Sequence, residues 1–144
     1  MDLVAKNGAD VVVNHNTKDY TQQILESTNG EGPDLIIEML ADVNIEKDLT
    51  MIKKKGRIIN VGSKGSIEIN PKLKTTKNCL VTDVSILSTK PRELKELHAA
   101  IQTGMDSGWV KPHIGRVYSL TQAGDAHNDI INNSGSQGKL VIKI

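Results

Sequence analysis

The sequence predicts an α/β fold, a partial Rossmann-type doubly wound parallel sheet followed by a helix and strand tail, and three observations carry that prediction. Short apolar runs start near residues 11, 34 and 57, an interval that just accommodates a helix and two loops each time. Two of the runs, Leu35–Met39 and Arg57–Val61, are nearly unbroken in apolar character, as expected of strands covered on both faces of a sheet. Between them Ile45, Leu49 and Ile52 stand at i, i+4 and i+7, the apolar stripe of a crossover helix. Pro33 to Pro71 is therefore one βαβ unit, and the rest of the chain is arranged around it. In such sheets ligands settle at the carboxyl ends of the strands, which directs attention to the loops Leu40–Asn44 and Gly62–Gly65.

Taken in order, residues 2–7 read as the last turns of a helix closed by Gly8, so the chain opens in mid-architecture, and Asp10–Asn14 reads as a β-branched strand. Lys18–Thr28 places Tyr20 and Ile24 on one side of a short helix, and Asn29-Gly30-Glu31-Gly32-Pro33 is a turn cluster leading into Leu35–Met39. Asp42 or Asn44 is the expected cap of the next helix, and Lys53–Lys55 suits the negative end of its dipole. Beyond Pro71, Lys72–Lys77 reads as a surface loop and Leu80–Leu87 as a further strand. Thr89 and Pro91 start a helix with Leu94, Leu97 and Ile101 on one face, ending near Gly104. Val110–Tyr118 is an extended crossing, Thr121–Asn133 a capped helix burying Ala123, Ala126 and Ile130, and Lys139–Ile144 a strand. The last helix and strand break the earlier interval and are assigned to a different layer.

At 144 residues the chain is long enough for one domain with a sizeable core and short for a two-domain enzyme. With a formal net charge of +1 and no phenylalanine, neither an electrostatic nucleic-acid platform nor an aromatic stacking surface is indicated. The single cysteine, Cys79, excludes an intramolecular disulfide and suits a reducing compartment. No apolar run approaches the roughly 18 residues of a membrane span, and Met1 leads into MDLVAKNGAD rather than a signal sequence. The expectation is a soluble cytoplasmic protein with no membrane association.

The runs IIEMLADVNIEKDL, GRIINVGSKGSIEINP, AAIQTGMDSGWVKPHIG and AHNDIINNSGSQGKL occur in the order in which they stand in a known family. The chain resembles the C-terminal portion of the zeta-crystallin-type NADPH:quinone oxidoreductases, zinc-free members of the medium-chain dehydrogenase/reductase superfamily. The resemblance covers essentially the whole chain, although a family member is more than twice as long. It implies that residues 1–87 belong to a dinucleotide-binding domain and residues 88–144 to a segment that returns to the catalytic domain. The family's N-terminal catalytic domain, glycine-rich turn and first cofactor-domain strands have no counterpart here, and no G-x-G-x-x-G occurs. Gly30-x-Gly32 precedes a strand instead of following one and reads as a plain turn.

The resemblance implies NADPH as cofactor and four places of contact with it. His15 is placed near the adenosine end, against the alternative of a strand-end histidine bonded to its own loop. Asn44 offers a side-chain amide, against a role in capping. Val61, Gly62, Ser63 and Lys64 follow the third strand; there a glycine permits positive φ and close backbone approach, while the hydroxyl and ammonium suit a ribose or phosphate, against a simple tight turn. Val84, Ser85 and Ile86 offer backbone groups to the nicotinamide amide, against a plain buried strand. Cys79 and the isolated His98, His113 and His127 lack metal-ligand spacing. Glu38, inside an apolar strand, is a weak candidate for a general base.

No catalytic residue is assigned. By resemblance the activity is NADPH-dependent hydride transfer to quinones, weak or absent in this chain alone. The alternative is a non-enzymatic regulatory fragment that pairs with a full-length homologue. Homo-oligomers are expected, and RNA binding is a weaker possibility that the near-neutral charge opposes.

Overall fold

The structure is a computed structural model that describes residues 2–132 and 137–144. The chain divides into two compact units, Met1–Ser88 and Thr89–Ile144.

The first unit holds helices α1 (Asp2–Lys6), α2 (Tyr20–Ser27), α3 (Ala41–Met51) and α4 (Pro71–Lys77) and strands β1 (Leu35–Glu38), β2 (Arg57–Asn60) and β3 (Leu80–Asp83). The strands form one parallel sheet in the order β1-β2-β3, with Glu38, Asn60 and Asp83 in register at their carboxyl ends. Because the order advances in one direction, right-handed crossovers place α3 and α4 on the same face. The core is what they cover. Ile45, Leu49 and Ile52 of α3 pack with Ile58 and Cys79, and Ile36, Ile67, Ile69, Leu73 and Val81 close around them. Fully burying a side chain such as Leu49 or Ile58 stabilises the fold by about 1.5–3 kcal/mol each.

Several expectations are corrected. Asp10–Asn14 is no strand, because no neighbouring strand among the described residues takes up its backbone hydrogen bonds. The recurring interval holds for the strand starts at 35, 57 and 80 instead. Lys72–Lys77 is helix rather than loop. Asn70 caps it by accepting from Lys72 N at 3.0 Å, and Pro71 occupies the first turn, where its missing N–H costs nothing. Leu80–Leu87 is strand only as far as Asp83, and Ile86–Ser88 is a 3₁₀ turn closed by Ser88 N onto Ser85 O.

The cap of α3 is Leu40, so Asp42 and Asn44 lie inside the helix with their side chains free for other work. Lys53–Lys55 lies beyond its end, and Lys53 pairs with Glu31 at 2.7 Å and Asp34 at 3.4 Å. The sheet is not covered on both faces either. Ile36, Ile58 and Val81 point to the helices, whereas Leu35, Ile37 and Leu80 of the opposite face are exposed.

The second unit holds α5 (Pro91–Asp106), β4 (Ile114–Ser119), α6 (Ala123–Asn132) and β5 (Lys139–Lys143), with a 3₁₀ turn at Leu120–Gln122. β4 and β5 make their own two-stranded parallel sheet, distinct from that of the first three strands. Buried Tyr118 anchors α6 to it by donating to Asp129 Oδ2 at 2.5 Å, and Arg116 pairs with the same oxygen. Of the three residues expected to be buried by α6 only Ala126 is; Ile130 is exposed. Leu97 and Ile101 of α5 are likewise about half exposed.

Candidate functional site

Parallel strands put their last residues and following loops at one end of the sheet, and there the candidate residues Asn44, Val61–Lys64 and Val84–Ile86 gather. Each strand also ends in a polar residue on the helix-covered face. Asn60 Nδ2 donates to Asp83 Oδ1 at 3.0 Å, while Asn60 Oδ1 is buried without a partner. Glu38 sits beside Asn60 in register and is 8% exposed. Its Oε1 accepts from Leu40 N and from Asn44 Nδ2, the latter at 3.1 Å.

Asp48, one turn beyond Asn44 on the same side of α3, faces Glu38 and is 2% exposed. Burial, then the charge of Glu38, pushes its carboxyl up to about 7. Glu38 is thus nearly buried, and both hydrogen bonds to its Oε1 come from the chain itself.

The loop after β2 is held from α3. Asp42 Oδ1 accepts from Ser63 Oγ and Lys64 N, each at 3.0 Å, and Ser63 Oγ also reaches Gly65 O at 2.8 Å. Gly62 accepts from Ala41 N at 3.0 Å. A β-carbon on Gly62 would come within 2.6 Å of Met39 O, so the close approach of two strand ends demands glycine here; its φ is not positive, contrary to expectation. The Val61 and Val84 N–H groups continue the ladder, donating to Glu38 O at 2.8 Å and Asn60 O at 2.9 Å. Val84 and Ile86 are exposed, not buried as a strand would be. Lys64 is exposed and makes no ion pair among the described residues.

His15 lies in a turn rather than at a strand end. It borders a cleft of about 450 Å³ that Glu38, Asn44, Asp48 and Tyr20 also line, and a second of about 540 Å³ with Lys18, Tyr20 and Lys47. The structure therefore brings His15 to Asn44, and Asn44, through the first turn of α3, to Val61–Lys64. Val84–Ile86 stands at the end of the neighbouring strand.

Asp42, Asp48, Asn60 and Asp83 were missed as partners of this site. The signal was present: LIIE, RIIN and LVTD each close an apolar run with a polar residue at the same register.

Comparison with known proteins places this geometry. Residues 7–142 match the family described as zinc-binding dehydrogenase. The quinone oxidoreductase of Sus scrofa is 44% identical over 141 residues, 98% of this chain and 43% of the relative. That of Homo sapiens is 42% identical over 140 residues, 97% of this chain and again 43% of the relative. The chain thus spans less than half the length of these curated relatives.

Among solved structures, an NAD-dependent alcohol dehydrogenase superposes with a TM-score of 0.86 at 21% identity, over 99% of this chain and 40% of that one. A mycobacterial protein solved with NADPH superposes at 0.83 with 18% identity, over 99% of this chain and 46% of that one. These likenesses establish the α/β dehydrogenase fold.

The family's description mentions zinc, yet among the described residues no group of three or more His, Cys, Asp or Glu is placed to hold a metal ion. Cys79 is buried with Lys74 O as its neighbour at 4.0 Å. The described residues do not fit that metal. No helix among the described residues is long and apolar enough to cross a membrane. On its match along residues 7–142 the chain belongs to the zinc-binding dehydrogenase family.

Proposed function

We propose that this chain supplies the sheet-side wall of an NADPH site in a quinone oxidoreductase of the zeta-crystallin type. The observation that carries the reading is 42–44% identity to quinone oxidoreductases along 97–98% of the chain. Supporting it, Asn44, Val61–Lys64 and Val84–Ile86 stand at the carboxyl ends of parallel strands, where ligands of such sheets bind. NADPH, when bound, supplies a hydride for reduction of the quinone. His15 serves the adenosine side, Asn44 offers its side-chain amide to the cofactor, Ser63 and Lys64 serve a ribose or phosphate, and the Val84–Ile86 backbone the nicotinamide amide. Residues 1–87 act as part of the dinucleotide domain, residues 88–144 as a segment of the catalytic domain, and the working compartment is the cytoplasm.

Alone, the chain has one wall of that site. Orienting hydride donor and acceptor in near contact is worth about 7–11 kcal/mol of barrier, and that contribution requires both walls. The 144 residues by themselves therefore turn over no quinone. Following absorbance at the nicotinamide band with NADPH and an ortho-quinone tests this, and turnover proportional to protein and lost in Lys64→Ala contradicts it.

A second reading is favoured by the exposed apolar residues Leu35, Ile37 and Leu80 and by two strand edges without partners among the described residues. Such edges pair with other chains. In this reading the chain is a non-enzymatic fragment that self-associates or pairs with a longer homologue. RNA is the weakest of the partners, since a net charge of +1 gives little phosphate neutralisation.

A further inference from the structure

Asn44 has two faces that a ligand could read, a donor and an acceptor, and its surroundings decide which one the cleft sees. Its Nδ2 donates to Glu38 Oε1 at 3.1 Å, an oxygen that also takes the Leu40 backbone N–H. An oxygen serving two donors fixes the amide with nitrogen inward. Asp48 stands behind this arrangement. It lies one helical turn from Asn44, it is 2% exposed, and no donor reaches its buried Oδ2. Its neighbour, Glu38, is itself an acceptor.

Two enclosed acceptors cannot face each other without a proton between them. The other groups on the cleft do not replace that proton. Among the described residues, Lys47 is the cation whose charge bears on Asp48, and it does so as the smallest influence, with its Nζ lying 5.4 Å over the Tyr20 ring. His15, which is exposed, and Tyr20 also line the cleft.

We propose that Glu38 and Asp48 share one proton, carried by Asp48, and that this pair is a positioning device that locks the Asn44 carboxamide with Oδ1 toward the cleft. Asn44 then acts as a hydrogen-bond acceptor. The ligand groups it selects are donors, such as a ribose hydroxyl or a carboxamide NH₂, and not phosphate oxygens. The assignment of that ligand to NADPH rests on the function proposed above; the lock itself does not. Burial and the charge of Glu38 push the Asp48 carboxyl up to about 7, so the lock is closed below neutrality and strained above it, when a second negative charge appears beside Glu38.

The test is NMR of the full 144-residue protein without cofactor, between pH 5.5 and 8.5. The Asp48 side-chain carboxyl carbon is expected to titrate with a midpoint near 7, and the two Asn44 side-chain amide protons to shift with the same midpoint. Asp48→Asn, a neutral isostere that can still donate to Glu38, is expected to abolish the pH dependence of the Asn44 signals while keeping them dispersed. Glu38→Ala, which removes the acceptor, is expected to collapse them toward the values of a freely rotating amide.

A merely structural role for Asp48 would leave the Asn44 signals indifferent to its titration. Asp48 titrating below pH 5, or Asn44 signals that follow neither pH nor the Asp48→Asn change, would overturn the proposal. Asp48→Asn decides the matter even where Glu38→Ala fails to fold. Because no cofactor is present, failure of NADPH to bind is a separate result.

Discussion

Asp42 Oδ1 lies 3.0 Å from both Ser63 Oγ and Lys64 N, and so ties the first turn of α3 to the loop that follows β2. The Lys64 N–H above all, with help from the Ser63 hydroxyl, holds the Asp42 carboxyl below its ordinary value of 3.8. A depressed carboxylate contributes its share of order above that ordinary value and loses it as pH falls through the folded one. Asp42→Asn is expected to speed exchange of the Lys64 amide at neutral pH and to leave the Leu49 and Ile58 amides unchanged. Hydrogen exchange resolves the two, and equal acceleration throughout would show that the contact is not local.

Leu49 is fully buried between α3 and β2, among Ile45, Ile52 and Ile58. Leu49→Ala should cost about 2–5 kcal/mol, the transfer term plus the cavity left behind. Urea unfolding of the full chain measures it. A loss below about 1 kcal/mol would mean that the helix-covered face is not the core of the first unit.

Gly62 is confined by the Met39 carbonyl, 2.6 Å from where a β-carbon would stand. Gly62→Ala forces β1 and the following loop apart and should destabilise by about 1–3 kcal/mol, as overpacking does. Differential scanning calorimetry reads this directly, and an unchanged Tm would refute the close approach. For the same reason a cofactor-binding test is better made with Lys64→Ala, which touches no backbone neighbour.

Asp48 gives the first unit a pH dependence of a particular sign. Its ordinary value of 3.8 is raised to about 7, so over that window the folded chain holds a proton that the unfolded chain has released. This share of stability is complete below about pH 4, falls as pH rises, and levels off above about 7. Urea midpoints at pH 5 and pH 8 should differ in the wild type by more than in Asp48→Asn. The same difference in both proteins would place the titrating group elsewhere.

The strand–helix–strand unit was legible because LIIE and RIIN are apolar runs of strand length and the α3 stripe has helical spacing. The resemblance supplied the loops. What stayed hidden has specific causes. DVVVN has the composition of a strand, but a strand is a pairing, and propensity does not reveal whether a partner exists. Lys72–Lys77 reads as charged surface, and its helix depends on the Asn70 cap and the Pro71 start just outside the run. Asp42 and Asn44 were read as caps because such residues favour that position. Only the tertiary fold brings Ser63 to one and Glu38 to the other, 21 and 6 residues away in sequence. Glu38 drew attention as a lone acid in an apolar strand, whereas its partnership with Asp48 needs the packing of α3 on β1.

Exposed strand edges and the apolar residues Leu35, Ile37 and Leu80 are expected to promote association. Sedimentation of the purified chain is expected to show dimers or larger species that grow with concentration. A clean monomer at high concentration would contradict self-association through these edges.

Whether this chain forms one wall of an NADPH site is tested most directly by a two-dimensional NMR titration with NADPH on the full chain. The phosphate cradle of a glycine-rich turn has no counterpart in the sequence, so binding is expected to be weak, with Kd at ~1 mM or above. Shifts should be confined to His15, Asn44, Val61–Lys64 and Val84–Ile86, and should weaken in Lys64→Ala. Low-micromolar binding, or shifts that cluster at the opposite ends of the strands around Gly30, Lys54 and Lys77, would contradict the account.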